Sequence, residues 1–262
     1  MDCFQNDDRR LLAYREIEPK LEELLTAFGT PKNASNTHYP FWRLRKDKIW
    51  KVESANKLSV NSSGDVKKTE LREKDIKAGF TAEVYDLLKN NLSLRNKICL
   101  EIISAHFPDT IHEDIILETG IDLDKQLSTR KPRDPAFRSA VLQAYEHKCA
   151  VCNFDVRIGA KSICIEAAHI KWYSAGGPDS VENGIALCTL HHKLFDLGAF
   201  TLDQDQKFLV SEKVVGREGF DLWLGRYHGD FITKPVRGTY EPNVEYIAWN
   251  QNQVFKSPSR EF

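Results

Sequence analysis

The segment Leu187-Cys188-Thr189-Leu190-His191-His192-Lys193-Leu194-Phe195-Asp196 decides how the second half of this 262-residue chain folds, because it answers an earlier Cys149-Ala150-Val151-Cys152. Cys-x-x-Cys followed at a distance by Cys-x-x-His has the softness and spacing of a tetrahedral zinc site made by Cys149, Cys152, Cys188 and His191. On a helix, Cys188 and His191 can face one side. His192 is turned about 100° from His191, and Asp196 lies one turn beyond His192 on the same face. The entry angle of that helix leaves an alternative open, in which His192 completes the zinc site and His191 faces outward.

Working outward, Phe137 to His147 has helical periodicity through Val141, Leu142 and Tyr145, and its end delivers Cys149. Ser162 to Ile170 alternates as a strand that ends on His169. The turn-rich Ala175-Gly176-Gly177-Pro178-Asp179 opens a long loop reaching Asn183-Gly184, and Leu187 to Leu197 forms a short helix stopped by Gly198. A zinc-braced loop that encloses His169 and Asn183 and ends in His192 is the pattern of a small metal-dependent nuclease. A neutral imidazole can take a proton from water, and a hard dication can stabilise charge on a pentacoordinate phosphate.

The first half is built differently. Ile17 to Phe28 predicts a helix through Ile17, Leu21, Leu24, Leu25 and Phe28, closed by Gly29-Thr30-Pro31. Phe41 to Leu44 and Ile49 to Val52 predict the two strands of a hairpin, and Thr81 to His106 predicts helices broken around Asn90 and Asn91. Thr129 to Pro135, with two prolines and alternating charge, is expected to be a linker. The predicted domains are 1–128, a mainly helical domain with a short hairpin, and 136–262.

The formal net charge of -1 gives no global sign of a nucleic-acid partner. The cations from Arg43 to Lys77 crowd one stretch, which is a solvated surface by default and a phosphate-tracking face otherwise. Six cysteines, three of them in metal spacing, argue for a reducing, cytoplasmic location and leave Cys3, Cys99 and Cys164 as ordinary thiols. The first twenty residues lack a signal-peptide pattern, and no apolar run is long enough to span a membrane. No P-loop is present.

Cys149-Ala-Val-Cys152, Glu166-Ala-Ala-His169-Ile170, Gly176-Gly177-Pro178-Asp179, Glu182-Asn183-Gly184 and Leu187 to Asp196 resemble the restriction-type branch of the HNH endonucleases. That resemblance implies an α+β protein whose C-terminal domain is a ββα-metal nuclease with structural zinc. His169 would be the general base, Asn183 would hold its loop, and His192 with Asp196 would bind the catalytic Mg or Mn. Ala168 stands where many of these enzymes place an Asp or His ligand, and Glu166, upstream on the same strand, is left outside the ligand set.

Phe28-Gly29, His38-Tyr39-Pro40-Phe41-Trp42-Arg43-Leu44, Asp47 to Val52, Gly79-Phe80 and His106 to Ile115 resemble the sulfur-binding domain that reads phosphorothioate DNA. Tyr39 and Pro40 would then form an apolar wall for sulfur, which is less strongly hydrated than the oxygen it replaces, with Arg43 as a DNA-contacting cation. In that family another helix precedes the one at Ile17; here it is expected to be absent. Together the halves imply an endonuclease acting on phosphorothioate-modified double-stranded DNA, as a homodimer if both strands are cut. The alternatives are an inactive zinc-stabilised DNA-binding module and an HNH enzyme specific for another modification.

Overall fold

A computed structural model describes residues 9–31, 35–121 and 135–261. They form two compact units, one drawn from Met1–Ile102 and Glu113–Ser128, the other from Ile103–His112 and Thr129–Phe262. The expected linker at 129–135, save its last residue, and the first eight residues, where a front helix was expected to be absent, lie outside the described residues. Among the described residues no helix is long and apolar enough to cross a membrane.

The first unit runs β1 (Leu12–Ala13), α1 (Tyr14–Phe28), α2 (His38–Arg43), β2 (Trp50–Val52), α3 (Lys68–Glu73), β3 (Lys77–Phe80), α4 (Ala82–Asn90), α5 (Leu92–His106) and α6 (His112–Thr119), the last two continuing into or out of the second unit. Its sheet is antiparallel in the order β1-β3-β2. The predicted break at Asn90-Asn91 separates α4 from α5, and Gly29 closes α1 by donating its N–H to Leu25 O at 2.9 Å.

The predicted hairpin does not form, because Phe41 to Leu44 is helical and β2 pairs with β3 instead. Two features of the sequence explain this. Pro40 falls in the first turn of α2, where a missing N–H has no helical partner to lose. The neighbours Phe41 and Trp42 are both buried, whereas a strand would send them to opposite faces. Phe41 meets the Tyr14 ring edge-on at 5.0 Å, and Trp42 Nε1 donates to Gly64 O at 2.8 Å. Around them Val52, Leu58, Val66, Leu71, Ile76 and Ala78 complete this unit's core.

The second unit carries α7 (Pro135–Ala144), the small hairpin β4 (Arg157–Ile158) and β5 (Lys161–Ser162), then β6 (Ile165–His169), β7 (Gly184–Cys188), α8 (Thr189–Asp196), β8 (Phe200–Leu202), β9 (Phe208–Val210), α9 (Glu218–Trp223) and α10 (Val244–Gln253). The sequence predicted one strand and a loop before the helix. The structure shows an antiparallel pair, with Ile165 opposite Cys188 and His169 opposite Gly184. All five residues of β7 are buried, so Gly-Ile-Ala-Leu-Cys shows no alternation and Leu187-Cys188 looked helical in sequence. Gly184 is required where α7 crosses the pair, since a Cβ there would lie 2.3 Å from Val141 Cγ2.

Candidate functional site

Two turns bring the cysteines together. Cys188 is the N-cap of α8, which points its thiol back toward the Cys149–Cys152 knuckle. The knuckle is tied to β7 by Ala150 N–H donating to Ala186 O at 2.8 Å, and Asn153, at φ 58°, turns the chain after Cys152. The ligand atoms of Cys149, Cys152, Cys188 and His191 all lie within 4.8 Å of one another. Cys152 Sγ is 4.0 Å from Cys188 Sγ, and His191 Nδ1 is 3.1 Å from Cys188 Sγ and 3.6 Å from Cys149 Sγ. Tetrahedral ligands about 2.3 Å from a zinc ion stand about 3.8 Å apart, so this donor set fits the ion in type and size.

His191, not His192, completes the cluster. Its Nε2 faces Trp223 O at 2.8 Å, which fixes the tautomer that aims the Nδ1 lone pair at the sulfurs. Burial disfavours the charged imidazole, yet the three sulfurs outweigh it and raise the His191 pKa to about 12, so the cluster favours a cation at Nδ1, a proton or, in its place, a metal ion. The same negative field would act on a dication placed among them.

His192 lies on the other face of α8 and is also buried. A carboxylate meets each of its ring nitrogens: Glu166 Oε2 stands 2.6 Å from Nδ1, and Asp196 Oδ2 stands 3.3 Å from Nε2. The two carboxylates differ in setting. Asp196 is buried, with Trp172 Nε1 donating to Oδ1 at 3.2 Å and the Thr110 hydroxyl donating to Oδ2. The Glu166 side chain is 36% exposed and borders an open cleft also lined by Arg138, Lys161, Cys164 and Thr189. Asp196, expected from the sequence as an ion ligand, is thus enclosed by protein donors, while Glu166, left out of that set, faces the open side.

Strand alternation explains Glu166. On β6 it shares a face with Ala168, toward α8, and its longer side chain reaches His192 Nδ1. His169 points to the other face, where its ring stacks on Phe137 at 4.1 Å and 18°, and its Nε2 lies 2.7 Å from Asp179 Oδ1. Asp179 was legible in the sequence only as part of a turn.

Asn183 is fully buried. Its Nδ2 donates to Lys171 O at 3.0 Å and to Pro178 O at 2.9 Å, and its Oδ1 accepts from Lys171 N–H at 2.8 Å. The loop after His169 is therefore folded around one amide. Gly177 permits the closure, because a Cβ there would lie 1.9 Å from Lys171 O and 2.8 Å from Asn183 Nδ2.

In the first unit, Tyr39 and Pro40 are half-buried at the surface of α2, while Phe41 and Trp42 belong to the core. The Arg43 guanidinium lies 3.8 Å from the centre of the Tyr39 ring and donates to both carboxylate oxygens of Asp65, at 2.7 and 2.6 Å. That pairing holds the Asp65 carboxyl below its ordinary range. Arg43, expected as a DNA-contacting cation, is half-exposed, pairs with Asp65 and lies over the Tyr39 ring. The His38 ring meets that of Tyr39 tilted by 51° at 4.4 Å, and burial, followed by repulsion from Lys68, lowers its pKa.

Residues 3–124 match the ScoMcrA-like DNA sulfur-binding domain, and residues 149–203 match the HNH endonuclease family. The chain joins a DNA sulfur-binding domain to an HNH endonuclease domain. No curated protein matches it. Among solved structures, the modification-dependent TagI restriction endonuclease aligns at 20% identity with a TM-score of 0.34, over 52% of this chain and 41% of that one. The sulfur-binding domain of ScoMcrA complexed with phosphorothioated DNA aligns at 24% identity and 0.39, over 44% and 75%. The type IV phosphorothioation-dependent restriction endonuclease ScoMcrA aligns at 23% and 0.36, over 52% and 27%. The chain thus spans less than half the length of TagI and of ScoMcrA.

Proposed function

We propose that this chain is an endonuclease that recognises phosphorothioate-modified double-stranded DNA and hydrolyses nearby phosphodiester bonds with the help of Mg or Mn. The observation that carries the reading is His192, a buried imidazole with an enclosed carboxylate at Nε2 and an open one at Nδ1. Asp196 accepts the Nε2 proton and fixes the tautomer, leaving Nδ1 with Glu166 as the protein donors for the catalytic ion, the usual carboxylate–histidine–metal order. A hard dication bound there supplies charge stabilisation for the phosphorane and the leaving oxygen. Glu166 also answers the doubt raised by Ala168, which favours an active enzyme over a bare binding module.

The protein's own groups account for the rest. His169 takes the proton of the attacking water, and Asp179 remains paired with the imidazolium that results. Asn183 keeps the loop between them in place through its three hydrogen bonds. Zinc held by Cys149, Cys152, Cys188 and His191 has a structural role. Tyr39 and Pro40 offer the sulfur a neutral, weakly hydrated wall, with Arg43 bracing the Tyr39 ring. One nuclease site cuts one strand, so two copies act together on a duplex. The free thiols suit a reducing cytoplasm.

The test compares duplexes of one sequence, with and without a phosphorothioate, incubated with the protein and Mn. Cutting only of the modified duplex supports the proposal, and His169→Ala should abolish cutting while sparing binding. Tyr39→Ala should weaken binding of the modified duplex more than that of the plain one. Equal cutting of both duplexes rejects sulfur recognition, and binding without any cutting favours the inactive module.

A further inference from the structure

The stretch matched to the sulfur-binding domain runs to residue 124, yet Ile103–His112 within it packs as part of the nuclease unit. The segment is a short, well-braced turn. Pro108 leads into the 3-10 turn Asp109–Ile111, His112 Nε2 lies 2.9 Å from Phe107 O, and Ile111 is buried. Two of its side chains approach the surroundings of His192. The Phe107 ring is 6.5 Å from that of Trp172, and the Thr110 hydroxyl donates to Asp196 Oδ2, the oxygen that also faces His192 Nε2. Trp172 in turn donates to Oδ1 and packs edge-on against Trp249 at 5.7 Å.

We propose that Thr110 is a positioning residue for the catalytic ion site: its hydroxyl locks Asp196, and through Asp196 it fixes the tautomer and orientation of His192. The inference rests on the assignment of His192 as an ion ligand. Its chemical logic is that of any carboxylate behind a metal-bound imidazole. A carboxylate held by two donors cannot rotate, so the Nε2 proton and the Nδ1 lone pair keep fixed directions. Without the hydroxyl, Oδ2 loses the donor that steadies it opposite His192, and the hold of Asp196 on the Nε2 proton loosens. The consequence reaches beyond one side chain. The turn is continuous in sequence with α5 before it and α6 after it, so a strip of the sulfur-binding match completes the nuclease's own site.

The experiment uses the full chain, zinc-loaded, as wild type and as Thr110→Val, Thr110→Ser and His192→Ala. Mn affinity is read by electron paramagnetic resonance of free Mn in the absence of DNA, beside zinc content and single-turnover cutting. Mutation of such outer partners typically costs about 10-fold to 100-fold in metal affinity. Thr110→Val should therefore weaken Mn binding about 10-fold and slow cutting, with zinc content unchanged, and Thr110→Ser should restore both to within about 2-fold. If Thr110→Val misfolds, Thr110→Ala removes the hydroxyl without new bulk and replaces it in the comparison. Wild-type Mn affinity in the hydroxyl-less variant, with His192→Ala still weakening it, overturns this inference alone. Mn affinity indifferent to His192→Ala overturns the ion-site assignment and this inference with it.

Discussion

Replacing Asn183 by Ala separates two roles that an Asn in this motif could have. If it were an ion ligand, its loss would weaken metal binding. The structure directs the side chain inward, with Nδ2 on Lys171 O and Pro178 O and Oδ1 on Lys171 N–H. Truncation removes three hydrogen bonds at a fully buried residue, each worth about 1 kcal/mol net and more where a partner is left without water. The expected loss of stability is about 3 kcal/mol. The loop carrying Lys171, Pro178 and Asp179 then loses its central anchor, and with it the placement of His169. Misplacement of about 1 Å costs on the order of 100-fold in rate. Urea unfolding, Mn binding and single-turnover cutting on the same preparation give the three numbers. Reduced stability, reduced rate and unchanged Mn affinity are expected. A variant as stable as wild type with weakened Mn binding would refute this reasoning, because Asn183 would then face the ion and not the loop.

Removal of zinc should unfold the nuclease unit. Structural zinc contributes about 10–16 kcal/mol of binding energy in small zinc folds, more than most domains have in reserve. A strong chelator, or Cys152→Ser, should abolish the cooperative transition of this unit, read by circular dichroism against zinc content. Glu166→Gln should weaken Mn binding by about 10-fold or more, whereas loss through Asp196→Asn with none through Glu166→Gln would return the ligand role to Asp196. Acid stability of the first unit should depend on Glu18. Burial raises its pKa, but hydrogen bonds from Arg72, Lys68 and Tyr14 outweigh that and hold it at about 2, against an ordinary 4.5. The depressed value means its contribution is complete above pH 4.5 and is lost as the pH falls toward 2. That contribution is about 2 kcal/mol once screening around the half-exposed Arg72 is allowed for. Glu18→Gln should flatten the pH dependence of denaturant midpoints in that window; an unchanged slope would show that Glu18 is not responsible.

What the sequence revealed and what it hid follow from range. Cys149, Cys152, Cys188 and His191 are two short motifs whose spacing carries their chemistry, so the cluster was visible before any fold was known. The strand expected at Phe41 to Leu44 does not form because an aromatic run satisfies a strand and a buried helix equally well; Pro40 suits the helix, and the contacts of Phe41 and Trp42 with Tyr14 and Gly64 decide for it. Glu166 and Asp179 were hidden for another reason. Each lies beside a recognisable His, but its role depends on which face of β6 it occupies or how the Gly177 turn closes, and these are properties of pairing, not of spacing. Thr110 lies 86 residues from Asp196, in a segment that sequence likeness assigns to the other domain, and no local pattern announces it.

Zinc in the proposed cluster would also account for how so small a motif holds its functional side chains in register. β6 and β7 pair over only five residues, and α8 follows β7 with no intervening loop. Because Cys188 is at once the last residue of β7, the N-cap of α8 and a member of the proposed zinc set, an ion bound there would fix the angle at which the helix leaves the strand. His191 then sets the rotation of the helix about its axis, and that rotation decides where His192 points. A one-residue insertion in α8 between His191 and His192 should therefore leave zinc content intact and abolish Mn binding at His192, because about 100° of turn carries the imidazole away from Glu166.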